Sequence, residues 1–177
     1  ELELEAQKGK LCIFEKLVDR QFSLDSARLD VEIENQLTHE KTRERIPACL
    51  FAGVPVVKKC ELVDRATELL GTTATVFQVI PQGFLRVATS VRKADGTRAV
   101  GTYIPDTSPV AQALRKGQTY YGRAFVVTGW YFTGYSPYYD VSGKLIGALY
   151  VGIPEGPVIE RVRQFTTLKK VGETGYL

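Results

Sequence analysis

From Glu1 to about Arg20 apolar residues recur at three- and four-residue spacing, at Leu4, Leu11, Phe14, Leu17 and Val18, with Glu, Lys and Arg between them. That spacing predicts an amphipathic helix with one buried face. From Phe22 to Arg45 the pattern is mixed: Leu29, Val31 and Ile33 alternate as a strand would, while Asp30, Glu32, Glu34, Gln36 and the charges after them suit a helix. We take the helical reading, with a break near Ser23 to Asp25 and Asp25 or Ser26 capping the restart. Residues 1–47 then form an N-terminal helix, interrupted or not, that Pro47 ends. Ala48 to Lys59, with Gly53 and Pro55, reads as an irregular loop.

Glu61 to Leu70 predicts a short helix stopped by Gly71. Two strands follow, Thr73 to Ile80 and Phe84 to Arg92, turning at Pro81, Gln82 and Gly83. On the second, Phe84, Arg86, Ala88 and Ser90 share one face, and Leu85, Val87, Thr89 and Val91 the other. Ala94, Asp95 and Gly96 signal a hairpin into a third short strand, Arg98 to Ile104. Ser108 and Pro109 fit the cap and first turn of a helix that runs to Lys116 and stops at Gly117. Thr119–Thr128, Trp130–Tyr139 and Lys144–Ile153 then read as three strands, rich in β-branched and aromatic residues. The last is a nearly unbroken apolar run, which predicts cover on both faces and puts this meander in the middle of the domain. Val158, Val162, Phe165 and Leu168 return to helical spacing. The order predicts an α+β fold, a long N-terminal helix on an antiparallel sheet of five to six strands with short flanking helices.

The 177 residues, 44% hydrophobic and 24% charged, fit one ordinary globular domain. A net charge of +3, scattered among acids, gives no nucleic-acid footprint. No apolar run approaches the roughly 18 residues of a membrane span, and no signal peptide is predicted within this stretch. Methionine is absent and the chain begins at Glu1, so we expect a piece of a longer protein. Cys12, Cys49, Cys60 and His39 do not fall at zinc-site spacing, so no metal is predicted, and no cofactor motif occurs. Cys49 and Cys60 either close a disulfide loop in an oxidising compartment or are two buried thiols. Cys12, in a helical pattern, reads as a small buried hydrophobe. With no GxSxG elbow, no phosphate loop and a lone histidine, an enzyme is not predicted.

The candidate chemistry is a pair of strand arginines among aromatics. Arg86 and Arg123 stand where burial alone would favour an apolar residue, and a guanidinium half buried among tyrosines can hold a carboxylate through two parallel hydrogen bonds. The alternative for each is an internal acid such as Asp64 or Asp106. Tyr131 and Tyr135 can present hydroxyls over the same pocket, or form a plain aromatic core. Trp130 falls on the opposite strand face from Tyr131, and Tyr103 and Ser90 complete the candidate wall.

Five stretches, LFAGVPVVKKCELVDRATELLG, ATVFQ, FLRVATSVRKADGTRAVGTYI, YYGRAFVVTGWYFTGYSPYYD and GKLIGALYVGIP, together resemble the Cache domains. These are extracytoplasmic, PAS-like sensor modules of bacterial chemoreceptors and sensor kinases. The resemblance covers roughly residues 50–154 and is nearest to the chemoreceptor branch in which one Cache unit precedes another. It implies a PAS-like sensing domain at 48–154, and a C-terminal helix at 155–177 in which LKKVGETGYL opens the following module. It further implies a small organic acid such as acetate as ligand, a periplasmic location, a parent protein anchored in the inner membrane, and a homodimer formed through the N-terminal helix. A histidine-kinase sensor, or a protein-interaction domain with no small ligand, are the alternatives. Carried over residue by residue, the ligand-binding positions are Arg86, Arg123, Trp130, Tyr131 and Tyr135. Val57, Lys58 and Lys59 stand where the family pattern has Asn and Gly, and a Cys49–Cys60 disulfide is the implied replacement.

Overall fold

The computed structural model describes residues 1–19, 21–56 and 59–174, apart from the side chains of 158, 159, 162 and 168–174. The first helix, α1 (Leu2–Val18), buries Gln7, Leu11, Phe14 and Val18, one stripe at helical spacing. It stops at Asp19, whose left-handed backbone returns its N–H to the Glu15 carbonyl. Cys12 and Leu17 lie outside the stripe and are exposed, so Cys12 is not the buried hydrophobe its pattern predicts.

After α1 the chain does not continue as helix. Residues 22–51 form a hairpin of two long strands, β1 (Phe22–Asn35) and β2 (Lys41–Phe51). The charges that suited a helix instead oppose each other across the hairpin, Asp30 facing Arg45, Glu32 facing Arg43 and Glu34 facing Lys41. Cross-strand pairs of opposite charge stabilise such a ladder and override the helical preference of each residue. Part of the predicted loop is also strand, β3 (Val54–Pro55), paired with the end of β2.

The remaining elements fall close to their predicted places. They are α2 (Glu61–Leu70), closed by left-handed Gly71, β4 (Thr73–Ile80), β5 (Gly83–Thr89), β6 (Thr102–Pro105), α3 (Pro109–Arg115), β7 (Tyr120–Val126), β8 (Gly129–Tyr139), β9 (Leu145–Pro154) and α4 (Glu155–Thr174). Ser108 caps α3 by accepting from the Val110 N–H at 3.3 Å. On α4, Phe165 is exposed, and the other three predicted face residues have side chains outside the described set. The stretch LKKVGETGYL, expected to open a following module, continues α4 up to Thr174, and 175–177 lie outside the described residues.

Among the described residues the strands make one nine-stranded sheet, ordered β3-β2-β1-β6-β5-β4-β9-β8-β7, more than the five to six predicted because the β1–β2 hairpin and β3 join it. The sheet is mixed, β1 running parallel to β6. The meander, expected in the middle, instead ends the sheet, with β7 at the rim and β8 and β9 inside it. Two buried clusters lie on the two faces. One, beneath α1 and α2, gathers Leu11, Phe14, Ile33, Val63, Val76 and Val151. The other, beneath α3, gathers Phe77, Phe84, Leu114, Val126, Tyr135 and Tyr150. Gly147 permits the close approach of β4 and β8 across β9. A Cβ there would lie 2.0 Å from the Phe77 carbonyl oxygen and 2.3 Å from the Tyr138 ring.

Candidate functional site

Arg86 sits at the centre of β5 and is the largest side chain buried in the protein, 1% exposed. Its guanidinium lies 5.0 Å from the centroid of the Phe77 ring. One terminal nitrogen, Nη1, donates to Thr102 Oγ1 at 3.1 Å. Its Nε has no hydrogen-bond partner among the described residues, and among them no acid lies within ion-pair distance. Burial pulls this guanidinium below its ordinary pKa, opposed by the Tyr135, Tyr150 and Tyr131 hydroxyls.

Those tyrosines come from the meander. Tyr135 on β8 is fully buried, with Phe77, Tyr120 and Tyr150 rings at 6.0, 6.0 and 5.0 Å. Its hydroxyl has no partner among the described residues. Tyr150 on β9 shares a 3.0 Å hydrogen bond with Thr73 Oγ1, and Tyr131 is half-buried beside the cluster. Burial is the first cause that pushes all three hydroxyls upward, so they are neutral donors at physiological pH. Tyr135 also borders a cleft of about 460 Å³ between α3 and β7–β8, walled by Gln36, Ile104, Val110, Tyr120 and Phe125. A buried cation with an unused N–H beside a buried hydroxyl can receive an anion as a multi-donor site.

Of the other predicted wall residues, Arg123 and Trp130 stand at the rim of this cleft, and Ser90 and Tyr103 lie elsewhere. Arg123 donates to Glu155 through Nε at 2.5 Å and Nη2 at 3.0 Å, and its guanidinium stacks 5.0 Å from the Trp130 ring. It sits opposite Phe132, five residues along β8 from Pro137, which is in register with Ala148, Phe77 and Arg86. Four inter-strand steps separate β5 from β7, roughly 19 Å at 4.8 Å each. The two arginines therefore do not clamp one small ligand. The internal acids considered for them are held by other arginines, Asp64 by Arg98 and Asp106 by Arg115. Trp130 is 52% exposed, edge-on to Phe125 at the cleft rim.

Ser90 is displaced by one irregularity. Val76 pairs with Ala88 while Phe77 pairs with Arg86, so Val87 is an extra residue and the alternation flips beyond it. Ser90 consequently turns toward α2, accepting from Thr67 Oγ1 at 2.7 Å and from the Ala74 N–H at 2.9 Å. Tyr103 opposes Leu85 and joins the cluster beneath α1 and α2, on the face away from Arg86. Cys49 and Cys60 are both buried, free thiols. Val57 and Lys58, part of the expected family departure, lie outside the described residues.

Three residues of this region were not singled out from sequence. Thr102 holds Arg86, Tyr150 was hidden in an apolar run, and Gln36 was read as a helix position. A lone tyrosine in an otherwise aliphatic buried strand was the available signal for Tyr150, since its hydroxyl needs a partner there.

A larger groove of about 760 Å³ opens between the end of α1 and the β8–β9 turn. Two of its polar groups are already bonded within the protein, Ser136 to Glu15 and Tyr138 Oη to the Phe77 carbonyl at 2.6 Å. Arg86 and Tyr135 thus remain the stronger candidate centre.

The family model of the Cache 3/Cache 2 fusion domain matches residues 4–177. The chain belongs to that family, whose members are extracellular sensor domains. No curated protein matches it. No helix among the described residues is long and apolar enough to cross a membrane.

Proposed function

We propose that this Cache domain is the periplasmic sensor of an inner-membrane chemoreceptor and binds a small organic acid, acetate-sized to four carbons, on its α3 face. The observation that carries this reading is Arg86, fully buried with one side-chain hydrogen bond and no acid beside it among the described residues. A buried charge is costly unless it is paired and hydrogen-bonded, and a carboxylate would accept from both Nε and the Tyr135 hydroxyl. The chemoreceptor assignment, rather than a histidine kinase, follows the resemblance. Exposed Leu2, Ile13 and Leu17 on α1 support a homodimer through that helix. The reading is of binding without turnover.

The signal runs through the strands that hold the pocket. Tyr135 and Tyr150 lie on β8 and β9, and β9 leads directly into α4, whose first residue Glu155 is tied to Arg123 of β7. Ligand shifts the population toward the state in which these strands close on it, by no more than its differential affinity for the two states.

Thermal unfolding against a panel of organic acids tests the reading. A ligand at a hundred times its dissociation constant stabilises by about 2.7 kcal/mol, which for a chain of this length raises the midpoint by roughly 5–10 °C. Arg86→Met is expected to keep a cooperative transition and lose that shift. If no acid moves the parent's midpoint, acid sensing fails and a protein partner becomes the ligand to seek.

A further inference from the structure

The carboxylate reading uses Arg86 and Tyr135 as donors and leaves an acceptor on the wall of the cleft that Tyr135 borders. Gln36, directly after β1, is 4% exposed and fixed by its backbone N–H to the Tyr103 carbonyl at 3.1 Å. Its side-chain Nε2 donates to the Phe125 carbonyl at 3.3 Å. Because a carbonyl only accepts, that bond sets the amide with its nitrogen toward Phe125. Oε1 is then a buried acceptor with no partner among the described residues, on a residue that walls the same cleft as Tyr135. None of the residues lining the cleft is Asp or Glu, and Arg123 stands at its rim.

We propose that the ligand is a hydroxy acid, its carboxylate at Arg86 and Tyr135 and its hydroxyl donated to Gln36 Oε1. This rests on the carboxylate reading above. A plain fatty acid leaves the Gln36 oxygen unpaired. An amino acid could donate to it but brings a full positive charge into a cleft lined by no Asp or Glu and with the Arg123 guanidinium at its rim. A hydroxyl supplies the donor without the charge. A site built to hydrogen-bond a hydroxyl discriminates strongly against the analogue that lacks it.

Calorimetric titration of the parent with two matched sets, acetate, glycolate and glycine, and butanoate, 3-hydroxybutanoate and 3-aminobutanoate, tests this. In at least one set the hydroxy acid is expected to bind about tenfold or more tighter than the plain acid, with the amino acid weakest. Gln36→Met is expected to erase that preference while the plain acid still binds. Equal binding of hydroxy and plain acids by the parent, or a preference that survives in Gln36→Met, overturns the hydroxyl assignment and leaves the carboxylate site standing. Binding of neither a plain nor a hydroxy acid overturns both.

Discussion

The two faces of this sheet follow different rules. Beneath α1 and α2, aliphatic side chains and Phe14 fill the space, and the buried polar side chains are neutral and each keep a protein bond, although Gln7 Nε2 and Gln78 Oε1 have no partner among the described residues. Gln7 Oε1 accepts from Thr72, Gln78 Nε2 donates to the Pro47 carbonyl, and Tyr138 donates to the Phe77 carbonyl. Beneath α3 a guanidinium is buried among tyrosines with one donor unused, beside a phenol hydroxyl with no partner among the described residues. One face leaves only neutral amide atoms unpaired. The other holds an electrostatic cost that folding does not require, and such local inconsistencies are where function is found.

The sharpest way to separate the faces is to delete one large side chain from each. Phe14→Ala removes a fully buried ring from the filled face and is expected to cost about 3–5 kcal/mol. Its chemical denaturation midpoint falls, while acid affinity of the folded fraction stays as in the parent. Arg86→Met is expected to act in the opposite direction, since replacing buried charge with a well-packed apolar chain is neutral or stabilising by about 1–4 kcal/mol. The variant gains stability and loses acid binding. A loss of more than about 2 kcal/mol in Arg86→Met would instead mark the guanidinium as structural and erase the contrast.

Much of this arrangement was legible where its causes are local. The spacing of α2, the Ser108–Pro109 start of α3 and the turns of β7–β9 lie within a few residues of what they determine. The β1–β2 hairpin was misread because its evidence is a mirror: acids at 30, 32 and 34 opposing bases at 45, 43 and 41. No window of helical length displays that symmetry. Arg86 and Arg123 look alike in sequence, each on a strand near aromatics, and differ because Glu155 lies 32 residues beyond Arg123. Ser90 was lost to the extra residue at Val87, which no local pattern announces. Tyr103 was lost because its face is set by pairing with Leu85.

Thiol chemistry offers a smaller probe of the filled face. Cys12 is exposed on α1, whereas burial pushes the Cys49 thiol up to about 11, with the Tyr138 hydroxyl opposing. Alkylation of the native protein is expected to modify Cys12 alone, and unfolding without reductant to expose all three thiols. Mass spectrometry reads the count. A single label after unfolding would show Cys49 joined to Cys60 and overturn the free-thiol arrangement. Smaller again is the effect of Arg123→Ala: its partner is Glu155, and an ion pair whose guanidinium is half exposed contributes little. The same titration should give the parent's acid affinity, and a loss matching that of Arg86→Met would return Arg123 to the site.

The smallest expected effect lies beside the cleft, at the end of β1, where His39 of the cleft wall meets Glu34. His39 Nδ1 and Lys93 Nζ bond the two oxygens of Glu34 at 3.1 and 3.2 Å. Burial works against ionisation of Glu34, but the hydrogen bonds from His39 and Lys93, with the charges of Lys93 and Lys41, outweigh it and hold the carboxyl below its ordinary pKa. A carboxyl whose folded value is depressed contributes stability that is complete above its unfolded value and is lost as pH falls through the folded one. The melting midpoint of the parent should therefore exceed that of Glu34→Gln at pH 6–7, and the gap should close as pH drops below about 4. A gap that persists in acid would assign the effect to packing instead of charge. Arg86 stays protonated across this range and Tyr135 is pushed further from it, so acid affinity should follow the ligand's own carboxyl and be unmoved by Glu34→Gln. A flank that titrates beside a pocket that does not is the behaviour expected if the unpaired charge beneath α3 is held there for a ligand.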